Sequence, residues 1–251
     1  MPLARDASSY AATIVRGARG IFARTTRDRR KGPERLLELF DFEACPYCRK
    51  VREALTELDL DYLARPVARG SRRRELLREL GGKVQVPYLV DPNTGTRMYE
   101  SDDIVSYLNE HYARDGKAGW PVPLPSFLDD LNSFAASAVT LGRGRVCRVV
   151  RESGPPKLLE LFNMEGSPYC RKVREVLSEL DLEYVVRNVP KGSPQRKELE
   201  RLGGKVQVPF LVDPNTGVRM YESDDIVTYL EREYGNEKRR ARPSGRASQA
   251  R

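Results

Sequence analysis

The amino-acid sequence contains an internal duplication, which limits the possible folds of the chain more than any other feature. Residues 36–112 and 158–234 align without a gap at a constant offset of 122, and 53 of the 77 aligned positions are identical. A unit of this length is about the smallest that sustains its own hydrophobic core, and it is longer than the roughly 20–50-residue repeats of solenoids. The sequence therefore predicts two copies of one small domain.

The hydrophobic pattern within each copy predicts an α/β domain with the element order β-α-β-α-β-β-α. In the first copy, the helix after the 45–48 turn carries Val51, Ala54, Leu55 and Leu58 at the three- and four-residue spacing of a buried helical stripe. The predicted strands are 36–40, 60–67, 87–90 and 97–99, and the second predicted helix is 72–80.

Turn and cap signals complete this prediction. The segment 91–95, Asp-Pro-Asn-Thr-Gly, is typical of a tight turn and is expected to join the last two strands into an antiparallel hairpin. Ser101 is predicted to cap the third helix. The first turn of that helix carries Asp102 and Asp103, whose charge suits a helix amino terminus.

Basic or proline-rich segments flank the two copies. They are a lead-in at 1–35, a linker with a second lead-in at 113–157, and a tail at 235–251. The similar stretches 1–30 and 134–151 are predicted to be amphipathic lead-in helices with a basic face, and the tail is predicted to be disordered. An Arg-rich, acid-poor start is also typical of a mitochondrial presequence, but a presequence could not work where the second stretch lies.

The net charge of +8 belongs to the ends of the chain. Residues 1–35 carry +6 and residues 236–251 carry +5, so the part between them carries −3. A nucleic-acid partner is therefore not expected for the repeated body. No run approaches the ~18 apolar residues of a membrane-spanning helix, so no transmembrane segment is expected either. The sequence leaves the oligomeric state open.

The cysteine content points to a reducing compartment. Cys45, Cys48, Cys147 and Cys170 are too few and too unevenly placed for a disulfide-stapled secreted fold. We expect the cytoplasm, with the mitochondrial matrix as the alternative. A zinc site needs four ligands, and the chain has one histidine and one Cys-x-x-Cys motif, so no metal is expected. Cys147 aligns with Thr25 at the offset of the duplication and is interpreted as a buried free thiol.

The chemistry of the first copy centres on Cys45-Pro46-Tyr47-Cys48, at the predicted junction of the first strand and the first helix. A helix dipole favours a thiolate at the helix amino terminus, so we expect the pKa of Cys45 to lie below the usual value of about 8.5. Cys48 lies one turn further on, where it can attack a mixed disulfide on Cys45 and resolve it. The motif predicts a redox-active pair, with a purely structural pair as the alternative.

The element order together with this motif resembles the thioredoxin fold in its glutaredoxin or glutathione S-transferase amino-terminal form. Gln85-Val86-Pro87 follows at the spacing of that family, as does Glu100-Ser101 at the start of the third helix. The resemblance covers both copies. It does not extend to the all-helical carboxy-terminal domain of complete glutathione transferases, because residues 113–157 are too few to supply one.

The resemblance implies a glutathione site in the first copy. Pro87 would be a cis-proline, Val86 would pair with the cysteinyl part of glutathione, and Gln85 would lie beside the tripeptide. Ser101 and the helix N–H groups would bind the γ-glutamyl carboxylate, and Glu100 would face the γ-glutamyl ammonium. Tyr47 is assigned to the same site.

The second copy keeps the proposed binding residues but loses the first cysteine. Ser167-Pro168-Tyr169-Cys170 replaces the redox motif, and the retained binding residues are Tyr169, Gln207, Val208, Pro209, Glu222 and Ser223. A serine at this place is similar to the serine of serine-type transferases, and Cys170 occupies the resolving position. Three hypotheses stay open: a transferase-like site, a non-catalytic glutathione-binding copy, which we favour, and a structural relic.

The sequence thus predicts a glutathione-dependent thiol-disulfide oxidoreductase. Cys45 is the expected nucleophile, Cys48 the expected resolving thiol, and glutathione the expected reductant for mixed disulfides of proteins or small molecules. The alternatives are conjugation of glutathione to an organic electrophile, using Cys45 or Ser167, and a binding module without turnover.

Overall fold

The computed structural model describes residues 19–24, 32–113, 142–149 and 151–235. Each copy has the predicted order β-α-β-α-β-β-α, which confirms the predicted fold class. The first copy consists of β1 (Leu37–Asp41), α1 (Pro46–Glu57), β2 (Tyr62–Pro66), α2 (Arg73–Gly81), β3 (Tyr88–Asp91), β4 (Thr96–Met98) and α3 (Ser101–Tyr112). The second consists of β5 (Leu159–Asn163), α4 (Pro168–Glu179), β6 (Tyr184–Asn188), α5 (Arg196–Gly203), β7 (Phe210–Asp213), β8 (Val218–Met220) and α6 (Ser223–Tyr234).

The two copies share one eight-stranded sheet with the strand order β4-β3-β1-β2-β6-β5-β7-β8. Within the first copy, β1 pairs parallel with β2 and antiparallel with β3, and β5 repeats this pattern in the second. The copies meet where β2 pairs antiparallel with β6, with Leu63 opposite Val185. This pairing covers one of the two edge strands of each copy and leaves β4 and β8 at the edges of the common sheet.

The helices that follow β1 and β5 are buried on more than one side. Every residue from Cys48 to Thr56 in α1 is buried, and so is every residue from Cys170 to Glu179 in α4. A helix that packs only on its own sheet buries a single apolar stripe. The second buried face of α1, which carries Arg49 and Arg52, therefore lies against the second copy.

The described parts of the two lead-ins each cross to the other copy. In the first, the Ala23 N–H donates to the Lys191 carbonyl at 2.9 Å, and the Lys191 N–H donates to the Ile21 carbonyl at 2.7 Å. Segment 142–149 repeats these contacts on Arg69 of the first copy. Segments 19–24 and 142–149 form turns and a short bridge, so the predicted lead-in helix is wrong for these residues. The remainder of the predicted helices and the basic tail lie outside the described residues.

The lead-in contacts also correct the alignment of Cys147. The Cys147 N–H donates to the Arg69 carbonyl, as the Ala23 N–H does to Lys191, so Cys147 corresponds to Ala23 and not to Thr25. The Cys147 side chain is half-buried rather than fully buried, and its thiol donates to the Ser178 carbonyl at 3.7 Å. Burial raises the pKa of Cys147 to about 12, which makes this thiol a poor nucleophile.

Candidate active site

Cys45 lies at the amino terminus of α1, as the sequence predicts. It is the cap residue, Pro46 is the first helical residue, and the Cys45 Sγ accepts a hydrogen bond from the Cys48 N–H at 3.3 Å. The side-chain hydrogen bond from Cys48 lowers the pKa of Cys45, and the backbone N–H and the Arg52 charge act in the same direction against burial. The site therefore favours a thiolate on Cys45.

Cys48 has the opposite character. Its side chain has no exposed surface, and burial, followed by the hydrogen bond to Cys45, raises the pKa of Cys48 well above its ordinary value. Because one thiol is acidic and the other is not, Cys48 stays protonated and donates to the Cys45 thiolate. This inequality suits a pair in which Cys45 attacks first.

A groove of about 450 Å³ in the first copy is lined by six residues that the sequence predicts for the site and by Asp102. Its lining consists of Tyr47, Gln85, Val86, Pro87, Glu100, Ser101 and Asp102. The Val86–Pro87 peptide bond is cis, as expected. Gln85 Nε2 donates to Glu100 Oε1 at 2.8 Å, which holds the Glu100 carboxylate at the groove. Tyr47 is 40% exposed at the start of α1.

The start of α3 differs from the prediction in one respect. Glu100, not Ser101, occupies the cap position, and its side chain makes no capping hydrogen bond. Glu100 has φ +65°, an uncommon conformation for a residue with a side chain. Ser101 is the first residue of the helix and is buried. The amino terminus of α3 thus faces the groove without a side-chain cap of its own, which leaves its N–H groups suited to an anion.

An ion pair that the sequence does not predict lies beside this groove. The Lys50 Nζ lies 2.5 Å from Asp102 Oδ1, which ties α1 to the first turn of α3. Lys172 and Asp224 form the same pair in the second copy at 2.6 Å. Both residues are unchanged between the copies, but a separation of 52 positions gives no sign that they pair.

The second copy forms a matching groove without the nucleophilic thiol. A volume of about 350 Å³ is lined by Tyr169, Gln207, Val208, Pro209, Glu222, Ser223 and Asp224. Ser167 caps α4, and its Oγ accepts a hydrogen bond from the Cys170 N–H at 3.3 Å, the distance seen at Cys45. Cys170 is fully buried, and burial raises its pKa. The one thiol of this site is therefore neither acidic nor accessible.

The two grooves are separate. Cys45 and Ser167 follow the carboxyl ends of β1 and β5, and these strands run in opposite directions in the common sheet. The sites therefore lie at opposite ends of the strands and do not share a cavity. Within the described residues, no group of three or more His, Cys, Asp or Glu side chains is arranged to hold a metal ion. No described helix is long and apolar enough to cross a membrane.

The fold, the capped cysteine motif and the repeated groove define a tandem thioredoxin-like protein of the glutathione transferase class. The family model for the glutathione S-transferase amino-terminal domain matches residues 39–117 and 161–238, so the chain belongs to this family. The "Glutathione S-transferase-like protein tpcF" of Aspergillus fumigatus is 32% identical over 81 residues, which are 32% of this chain and 36% of that protein. This chain therefore matches about a third of the length of that relative.

A solved structure described as a unique trimeric glutathione transferase of Leishmania also aligns with the chain. The alignment covers 84% of this chain and 71% of the Leishmania chain, at 16% identity and a TM-score of 0.29. A score this low gives no information on how the two copies are arranged.

Proposed function

We propose that the first copy is a glutathione-dependent thiol-disulfide oxidoreductase, with Cys45 as the nucleophile and Cys48 as the resolving thiol. The observation that supports this most is the position of the Cys45 Sγ. It caps α1 and accepts hydrogen bonds from Cys48. Tyr47, in the first turn of the same helix, lines a groove that has a carboxylate and an uncapped helix amino terminus. Such chemistry requires a compartment rich in reduced glutathione, for which we propose the cytoplasm.

The reaction would begin with a disulfide between glutathione and a protein or small-molecule thiol. The Cys45 thiolate attacks the glutathione sulfur, the original S–S bond breaks, and the released thiolate takes a proton from water. A second glutathione thiolate then attacks the glutathione sulfur bound to Cys45. This step yields oxidised glutathione and regenerates the Cys45 thiolate, so electrons and protons balance with glutathione as the reductant.

Cys48 offers a second route from the same intermediate. The Cys48 thiolate attacks the Cys45 sulfur, reduced glutathione leaves, and a Cys45–Cys48 disulfide forms. Burial holds the pKa of Cys48 high, so this route needs a thiolate that the folded protein disfavours. We therefore expect the route through a second glutathione molecule to dominate when glutathione is abundant.

Groove residues would hold the tripeptide at its γ-glutamyl end. Glu100, fixed by Gln85, would pair with the ammonium, and Ser101 with the first N–H groups of α3 would bind the carboxylate. The Val86 backbone would bond the cysteinyl part. Because the γ-glutamyl group carries both charges on one carbon, a carboxylate beside a helix amino terminus suits it better than either feature alone.

For the second copy we propose glutathione binding without thiol-disulfide exchange. Its groove repeats the lining of the first, and the Ser167 Oγ occupies the position of the Cys45 Sγ. A hydroxyl there can hydrogen-bond the thiol of glutathione but cannot form a disulfide. This feature also makes conjugation of glutathione to an electrophile the second candidate function, at Ser167.

The first test is the steady-state reduction of the mixed disulfide of glutathione and 2-mercaptoethanol by the wild-type protein, with reduced glutathione varied. We expect turnover that saturates with the mixed disulfide, and a mass increase of one glutathione on Cys45 when the reaction is quenched by acid. If glutathione binds without turnover and without this adduct, the oxidoreductase function is wrong, and the same samples can be assayed for conjugation to an aromatic halide.

One further substitution, made in a variant that already lacks Cys45, tests the second groove. In a Cys45→Ser background, Ser167→Cys should restore glutathione-driven reduction to within about tenfold of the wild type, because it rebuilds the capped thiolate beside an equivalent groove. The matched control is Cys45→Ser alone. If the restored thiol forms no adduct with glutathione disulfide, the second groove does not bind glutathione as proposed.

A further inference from the structure

Arg52 links the first active site to the interface between the copies. It lies on α1, one turn after Cys48, and its side chain is 1% exposed. Its guanidinium donates to the carbonyls of Phe42 at 3.4 Å and Glu43 at 3.3 Å. The Phe42 carbonyl also accepts the Cys45 N–H at 3.1 Å. Arg52 therefore holds the loop between β1 and α1 that presents the Cys45 thiol.

The second copy in turn holds Arg52. Glu165, 1% exposed on the loop before α4, accepts from Arg52 Nε at 3.2 Å and lies 3.0 Å from Arg174 Nη2. Asp41 and Glu43 of the first copy complete the set of carboxylates around Arg52, at 2.8 and 3.2 Å. These partners offset the cost of burying the Arg52 guanidinium. One of its three carboxylate partners thus comes from the copy that lacks the nucleophile.

Pseudo-symmetry shows that the arrangement is not equal at the two sites. Arg174 takes the place of Arg52 in the second copy, but its partner there is the Asn163 amide oxygen at 2.6 Å, where Arg52 has the Asp41 carboxylate. The thiol site therefore has one more negative charge around its arginine than the serine site. The charge around this arginine therefore differs between the copies, and so does the residue that caps the helix, which is Cys45 in the first copy and Ser167 in the second.

We propose that Glu165 of the second copy is a positioning residue of the first active site, acting on Cys45 through Arg52. The second copy, which lacks the nucleophilic cysteine, is then part of the thiol site rather than only a second binding groove. This inference rests on the proposed function only where it treats the Cys45 thiolate as the working nucleophile. Its test measures that thiolate directly and does not depend on turnover.

Several ionisable groups surround Arg52, and of these Asp41 also acts directly on Cys45. They are Asp41 on β1, Glu43 and Glu165 on the two loops, Arg49 on α1, and Arg171 and Arg174 on α4. The buried phenols of Tyr62 on β2 and Tyr184 on β6 also interact with Arg52 and Asp41. Burial raises the pKa of each phenol well above its ordinary value. These phenols stay neutral, so the carboxylates and guanidiniums set the charge that Cys45 experiences.

The experiment compares Glu165→Gln with the wild type by the pH dependence of iodoacetamide alkylation of Cys45, located by peptide mass. The amide oxygen can still accept from Arg52, but one negative charge is lost. The positive charge of Arg52 is then less neutralised by its carboxylate partners, which favours the thiolate form of Cys45. We expect alkylation at pH values below the wild-type midpoint to become about threefold faster or more, a midpoint shift of roughly half a unit.

The matched control is Arg73→Gln. Arg73 makes a buried ion pair between the copies, with Asp181 at 2.7 Å, and the second copy has Gln195 at the equivalent position. This variant removes a similar interface contact away from the Cys45 loop, so the alkylation profile should stay at that of the wild type even if the melting temperature falls.

A second variant tests the proposal even if Glu165→Gln does not fold. Asn163→Asp copies the Asp41 of the first copy into the second and adds a negative charge to the same cluster, so it should slow alkylation of Cys45 below the midpoint. If the variants that fold leave the alkylation profile unchanged, or if Arg73→Gln shifts it equally, Glu165 has only a structural role and the inference fails. If Glu165→Gln shifts the alkylation midpoint of Cys45 as expected but the wild-type protein does not turn over the mixed disulfide, the proposed function is wrong and this inference stands.

Discussion

Replacing Cys45 with serine should lower the glutathione-driven reduction of a mixed disulfide by about a thousandfold or more. The reaction needs a sulfur at this position, because a hydroxyl can neither form the mixed disulfide nor leave from it. The protein should nevertheless fold normally. Ser167 shows that serine fits this cap, since it accepts the same hydrogen bond at the same 3.3 Å from Cys170.

Cys48→Ser is the companion variant and should keep activity within about tenfold of the wild type. The serine can still donate to the Cys45 thiolate, and a second glutathione molecule replaces Cys48 in resolving the intermediate. Initial rates at several glutathione concentrations measure both variants, with circular dichroism to confirm folding. An inactive Cys48→Ser protein would show that the Cys45–Cys48 disulfide is an obligatory intermediate, and residual activity in Cys45→Ser would assign the chemistry to another residue.

Much of the fold and of the candidate site could be predicted from the sequence because the relevant signals are local. Strand and helix periodicity, the 91–95 turn and the Cys45 motif each depend on a few neighbouring residues. The duplication repeats the periodicity and the turn in the second copy, although Ser167 replaces the first cysteine of the motif there. The groove residues lie far apart in sequence, and only the family resemblance predicts that they form one site, since nothing in their spacing alone places Gln85 beside Glu100.

The interface between the copies could not be predicted, because its residues carry no local signal. Strand β2 has the same apolar pattern whether its outer edge meets β6 or solvent. Charged residues on α1 would ordinarily indicate an exposed face, yet Arg49 has no exposed surface. None of its guanidinium nitrogens has a hydrogen-bond partner among the described residues, and burial lowers the pKa of Arg49 to about 9. Only the tertiary structure shows that a second copy covers this face.

The stability of the protein in acid should depend strongly on Glu43. Burial opposes ionisation of this carboxyl group, but the guanidiniums of Arg174 and Arg52 outweigh it and hold the pKa of Glu43 at about 2, below the ordinary 4.5. A group whose pKa is lower in the folded state stabilises the protein above the unfolded-state pKa and loses that effect as the pH falls. The difference corresponds to about 3 kcal/mol, lost between about pH 4.5 and pH 2.

Asp41 contributes with the opposite sign. Burial raises the pKa of Asp41, so its ionised form destabilises the folded protein, and protonation in acid relieves that cost. Asp41→Asn therefore serves as the matched control for Glu43→Gln. It should make the loss of stability in acid steeper, whereas Glu43→Gln should make it shallower.

Urea unfolding at pH values from 2 to 6 tests this prediction. Glu43→Gln should be less stable than the wild type by about 3 kcal/mol near pH 6, and the two curves of unfolding free energy should converge near pH 2, where the wild-type carboxyl group is itself becoming protonated. The curves converge because the side chain at this position is then neutral in both proteins, so in neither does it supply a negative charge to Arg174 and Arg52. Parallel curves would mean that Glu43 has the same pKa in the folded and unfolded states, and that the buried guanidiniums do not stabilise its charge.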